Sequence, residues 1–220
     1  MNLRFRLLII LLGALLVAAT FTFPIWFPAT LDPSEIVLFP ELPEVLRAKF
    51  DVLPPERRDN YLALRDEDVR IAANMAAYAL QDPRPSPADQ QENPNRSGQV
   101  AVRDGEFVTL TPNRAAQGKV TLYELPDGGR YLWIEEFSAI PGPGLRLFLS
   151  SLTDIAYAEL LEDDLPGDYL LTLDDLLLDP LRYDTGNQAY EVPREADLNR
   201  YNAVLIYSTE LNLLYSYAEW

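Results

Sequence analysis

The stretch "GKVTLYELPDGGRYLWIEEF" (residues 118–137) decides the fold. Two runs of alternating apolar and polar residues, 120–125 and 130–137, flank "PDGG". A period of two sends successive side chains to opposite faces of a strand. The aspartate and paired glycines supply the backbone freedom of a tight reversal, so the stretch reads as a β-hairpin. The same pattern continues downstream. "GLRLFLSS" puts Leu145, Leu147 and Leu149 on one face, "AVLIYS" does the same for Val204, Ile206 and Ser208, and "LNLLYSY" follows closely. Short strands separated by Gly and Pro turns over residues 98–220 imply an all-β domain, either an antiparallel β-sandwich or a barrel-like fold. No long amphipathic helix separates these strands, which argues against an α/β domain; "LTLDDLLLDPLRYD" (residues 171–184) has room for a helical turn.

Upstream of residue 98 the character changes. Residues 82–97, "DPRPSPADQQENPNRS", have no apolar periodicity and read as an extended, hydrated linker. Residues 32–81 carry prolines that suit helix starts, and three short helices are expected at 43–50, 55–64, and from 66 or 67 to 80. In the last, Val69, Ala72, Ala73, Ala76 and Leu80 recur at helical spacing, and Asp66, Glu67 and Asp68 suit the positive end of the helix dipole. This membrane-proximal segment reads as a helical spacer; the alternative is a dimerising or partner-binding module.

Residues 7–27, "LLIILLGALLVAATFTFPIWF", contain no charged residue, and a helix needs about 20 residues to cross the hydrocarbon of a bilayer. Arg4 and Arg6 precede the stretch, whereas Asp32, Glu35, Glu41 and Glu44 follow it. The positive-inside rule therefore expects residues 1–6 in the cytoplasm, a single-pass signal anchor in the lipid bilayer, and the main domain outside, periplasmic or on the cell surface. Trp26 and Phe27 would anchor the outer interface. A cleaved signal peptide is the alternative, with small residues at Val17 and Ala19, although the apolar run continues through Phe21, Phe23, Ile25 and Trp26. Both readings export the remainder.

Composition removes several chemistries. The chain has Cys 0 and His 0, so thiol nucleophiles, thiolate metal sites and the commonest general base are all missing. Its formal net charge of -16, from 18 Lys and Arg against 34 Asp and Glu, repels phosphate backbones; nucleic acid is not an expected partner. The same charge suits a basic partner, and another envelope protein fits that description.

The pieces "GEFVTL" (105–110), "GKVTLYEL", the "DGG" turn, "LWIEEF", "GPGLRLFLS" with Gly142 and Pro143, "GDYLLTL" with Gly167 and Tyr169, "GNQAYEVP" (186–193) and "DLNRYNAVLIYS" (197–208) occur in order. Together they resemble the "electron transfer DM-13" domain family over about residues 98–220. The resemblance implies an export-associated all-β domain, often membrane-tethered, with a suggested redox role. That role leans on a cysteine in the last-but-one strand, a position held here by Ser208, and a histidine common in the family corresponds here to Arg114.

Residue types sharpen the functional choice. Ser208 shares a strand face with Val204 and Ile206, which favours packing over nucleophilic attack, and the one lysine of the domain, Lys119, has no spacing that brings it to Ser208. Asn187 and Gln188, beside a turn glycine, form a polar loop that either binds a ligand or holds its own backbone. Asp163, Asp164 and Asp168, with Glu162, are weak calcium candidates, as are Asp174, Asp175 and Asp179; neither run has an EF-hand spacing. The aromatics Tyr131, Trp133, Tyr190, Tyr201, Tyr207, Tyr215, Tyr217 and Trp220 signal sheet packing first and a stacking platform second. No catalytic residue and no cofactor is expected, with calcium or a prosthetic group as the alternatives. The sequence thus reads as a membrane-anchored, noncatalytic binding or accessory module; electron transfer through a bound prosthetic group is the rival, and a carboxylate-based hydrolase is a third class.

Overall fold

The computed structural model describes residues 39–151 and 171–220, and the alternation at 118–137 becomes a hairpin there. Among these residues three helices come first: α1 (Glu44–Asp51), α2 (Pro55–Glu67) and α3 (Val69–Ala79). Nine strands follow: β1 (Val100–Glu106), β2 (Val108–Thr109), β3 (Ala116–Glu124), β4 (Arg130–Ala139), β5 (Leu145–Ser150), β6 (Leu176–Pro180), β7 (Gln188–Val192), β8 (Ala203–Ser208) and β9 (Leu213–Glu219). β3 and β4 pair antiparallel from Glu124 opposite Arg130 to Ala116 opposite Ala139. Their turn is closed by Leu125 N donating to Gly129 O at 2.8 Å and by Gly128 N donating to Leu125 O at 2.9 Å.

The strands form two antiparallel sheets, one of four in the order β1-β3-β4-β7 and one of five in the order β2-β9-β8-β5-β6. Neither sheet closes on itself, so the barrel alternative is not realised. The two touch through β1 and β9, β2 and β3, β3 and β9, and β6 and β7. One face of the four-stranded sheet carries Val120, Leu122, Leu132, Ile134, Tyr190 and Val192, all buried. β8, central in the other sheet, is buried on both faces. Ala203, Leu205 and Tyr207 cluster with Phe148, Leu214 and Tyr217, and Leu110 and Leu171 pack against this group. Residues 171–184 hold a strand, β6, where a helical turn had room; β6 pairs with β5, and that pairing outweighs the local pattern.

The helices follow their sequence signals within a residue or three. Pro55 opens α2, and Asp68 caps α3 by accepting from Arg70 N and Ile71 N at 2.8 and 3.1 Å. Those two bonds hold the Asp68 carboxyl below its ordinary value. Buried Phe50, Tyr61, Ala72, Met75 and Ala76 show which faces pack, and residues Glu41–Trp220, helices and sheets together, form one compact unit.

Among the described residues no helix is long and apolar enough to cross a membrane. The apolar stretch at 7–27 and the acidic run with Asp163, Asp164 and Asp168 both lie outside them.

Candidate functional site

Ser208 ends β8 opposite Leu145 on one side and Leu213 on the other. It is fully buried. Its hydroxyl donates to Pro143 O at 2.6 Å and accepts from Leu211 N at 3.2 Å. The next residue extends the closure, because Thr209 N and Oγ1 both donate to Gly144 O, at 3.1 and 3.2 Å. Ser208 therefore joins the 143–144 loop to the β8–β9 turn, with its hydrogen and a lone pair already engaged. Lys119 is on the other sheet, its Nζ 3.9 Å from Asp104 Oδ2.

Asn187 precedes β7 and Gln188 begins it, at a corner where the proline-rich stretch meets the four-stranded sheet. Asn187 Oδ1 accepts from Glu136 N at 2.8 Å, its Nδ2 donates to Gln91 O at 2.5 Å, and its carbonyl accepts from the Ser86 hydroxyl at 2.5 Å. Gln188 is fully buried: Nε2 donates to Tyr183 O at 3.1 Å, while Oε1 accepts from the Tyr190 hydroxyl at 2.6 Å. Burial pushes the Tyr190 phenol well above its ordinary value, so it serves as a neutral donor. The structure brings these two amides together and sets Ser208 on the opposite sheet.

The proline-rich stretch is the element whose site role composition did not disclose. It crosses the outer face of β4, where Tyr131 Oη bonds to Asn93 Oδ1 at 2.9 Å and to Gln99 Oε1 at 2.5 Å. The Tyr131 ring stacks on Tyr123 with centroids 5.1 Å apart, and the Arg96 guanidinium lies 4.8 Å from its centroid. Beside it opens a groove of about 370 Å³, floored by Trp133 and Ala189 and walled by Asp89, Glu92, Arg96, Arg182 and Glu191. Both arginines are held in place. Arg96 bonds Glu191 at 2.5 Å, which raises its guanidinium pKa further, and Arg182 pairs with Asp179 while its guanidinium lies 4.7 Å from the Tyr190 ring centroid. A rim of mixed charge over an aromatic floor suits recognition of a polar, extended ligand.

A second concavity, about 600 Å³, lies at the β3 bulge between Glu106, Phe107, Lys119, Glu135 and Glu136. Gly118 makes the bulge, with φ +127, facing Glu136 at φ +52. No group of three or more carboxylates, histidines or cysteines able to hold a metal ion occurs among the described residues. Asp174 pairs with Arg200, Asp175 accepts from Thr172 N at 2.6 Å, and Asp179 pairs with Arg182, so these acids serve the β6 approach locally.

An iron–sulfur cluster, or a haem with its usual axial ligands, needs soft or imidazole donors. The donor set does not fit one: the whole chain lacks Cys and His, and Met75 is buried on α3. The family model described as Electron transfer DM13 matches residues 106–220. That span takes in β3 to β9 and both residues of β2. No curated protein and no solved structure gives a significant match.

Proposed function

This chain belongs to the Electron transfer DM13 family, and we propose that it acts as a membrane-anchored, extracytoplasmic binding module that performs no chemistry of its own. One observation carries the reading. Ser208, at the position where the family resemblance implies a redox-bearing cysteine, is buried and bonded at both ends of its hydroxyl to the backbone of its own turns. Uncharged residues 7–27, with Arg4 and Arg6 before them and acids after, support the anchor and its direction. The groove beneath residues 89–96 is the face offered to a partner. Asp89 and Glu92, which pair with no cation among the described residues, and the net charge of the chain favour a basic segment of another envelope protein.

Electron transfer is the second reading, favoured by the description of the family itself; it requires a bound prosthetic group. Purification of the full chain from membranes separates the two. A binding module shows no absorbance beyond the tyrosine and tryptophan bands, whereas one coloured group per chain, retained through purification, refutes the proposal.

A further inference from the structure

Beneath α2, four buried polar atoms have no hydrogen-bond partner among the described residues: Nε and Nη2 of Arg57, Oη of Tyr61 and Oη of Tyr215. The side chains are neighbours. Arg57 lies one helical turn before Tyr61 and close enough to favour the charged form of the phenol; the contact between them is at the margin of a hydrogen bond but lacks the distance and angle of one, so neither group is fully satisfied. The Tyr215 phenol senses both Tyr61 and Arg114. Arg114 is itself buried, and its Nη1 donates to Leu214 O at 3.1 Å, beside Tyr215. Asn113 joins these elements: with its amide turned so that nitrogen donates to Arg57 O and oxygen accepts from Tyr61 N, both contacts are 3.1 Å.

The cluster therefore presents a guanidinium edge and two phenols, with no carboxylate bonded to Arg57 among the described residues. Holding part of a guanidinium away from water without a counter-charge is unfavourable, and each orphaned hydroxyl adds to that cost. In a chain with 34 acids this is a conspicuous omission. We propose that Arg57, Tyr61 and Tyr215 form a binding site for one small monovalent anion of halide or formate size, which enters beside the half-buried Arg57. All four orphaned atoms can donate, and an anion needs only donors. A water molecule would bring two hydrogens of its own and leave the guanidinium charge uncompensated. A tyrosinate does not fill the role, since burial raises both phenols well above their ordinary value.

The test is thermal unfolding of the full chain in neutral detergent at fixed ionic strength, with sodium gluconate replaced stepwise by sodium chloride or by sodium formate. A filled site raises Tm by roughly 3 to 5 °C per tenfold increase in the binding anion above its Kd, and gluconate leaves it flat. Whichever of chloride and formate gives the rise identifies the size class. Arg57→Leu abolishes the response. Tyr215→Phe keeps the gluconate Tm within a few degrees and moves the response to severalfold higher concentration. Equal melting in all three salts overturns the proposal, as does a wild-type response in Tyr215→Phe; that second variant decides the matter if Arg57→Leu does not fold.

Discussion

Arg84→Ala asks whether the proline-rich stretch is a structural strap of the domain. Asp184 is essentially buried, with 1% of its side chain exposed, and receives three bonds from Arg84: backbone N at 2.8 Å, Nε at 3.0 Å and Nη2 at 2.8 Å. Truncation removes the two guanidinium bonds, leaves the backbone one, and strands a carboxylate away from water. Breaking a fully buried pair costs about 3 to 5 kcal/mol. Arg84 is 56% exposed, so solvent screens part of the interaction and water can approach the vacated side. The expected loss is therefore about 2 to 3 kcal/mol, or roughly 5 to 10 °C in Tm for a unit of this size. A local signature accompanies it. Ser86 N donates to Thr185 O at 2.7 Å and Asn187 Nδ2 to Gln91 O at 2.5 Å, so hydrogen exchange at residues 86–96 rises ahead of the sheet strands. Arg200→Ala is the control, because Arg200 and Asp174 are 56% and 64% exposed and their pair is worth under about 1 kcal/mol. If Arg84→Ala matches this control in melting and in exchange, the stretch is not held by Asp184 and the reasoning is wrong.

Other substitutions test separate joints. Gly118→Ala places a Cβ 2.8 Å from Glu135 O at φ +127 and should cost about 2 to 3 kcal/mol in chemical denaturation, whereas Gly128→Ala, at φ +77 with nothing within 4 Å, should cost about 1. Asp68→Ala removes the α3 cap and should cost about 1 kcal/mol at neutral pH. Because folding lowers the Asp68 pKa, the cap's contribution is full above the ordinary aspartate range and fades as pH falls through the lowered value; the stability gap between wild type and Asp68→Ala should close in that acid window. Ser208→Cys should lose about 1 to 2 kcal/mol with the bonds to Pro143 and Leu211, and its thiol should react with an aromatic disulfide reagent only as fast as the domain opens.

Much of this fold is legible in the sequence because its signals are local. The 118–137 hairpin needs only alternation and a turn, and Pro55 announces the start of α2 by backbone chemistry alone; the acidic run 66–68 marks the region where α3 begins, but its cap falls at Asp68, a residue or two later than the expected start. Sheet order is different, since β8 sits between β9 and β5 through contacts that no window spans. The candidate groove was hidden for the same reason. Residues 82–97 read as hydrated, and most are exposed, yet Arg84, Ser86 and Gln91 find partners in the loop between β6 and β7, and Asn93 and Arg96 on β4 and β7, about 40 to 100 positions away. Composition reports the solvent such a stretch prefers, not the few side chains that fasten it. Arg57 was equally unreadable, because an arginine in an otherwise polar helix gives no hint that its guanidinium turns inward.

Ser208 shows why fold and chemistry separate in this family member. The position has a structural duty that any small side chain with a polar tip can discharge: it ties the Pro143 carbonyl to the turn after β8. Serine does this with stronger hydrogen bonds than a thiol offers. The fold therefore accommodates a serine where the family resemblance implies a cysteine, and a redox role resting on that sulfur would need other donors, of which Cys and His supply none in this chain. What the exchange leaves intact is the outer face of β4 and β7, whose Trp133, Arg96 and Arg182 are fixed by packing and ion pairs that make no use of residue 208. A surface that keeps its rigidity when the buried position changes is where selection for binding can still act, which is why the groove carries the proposed function.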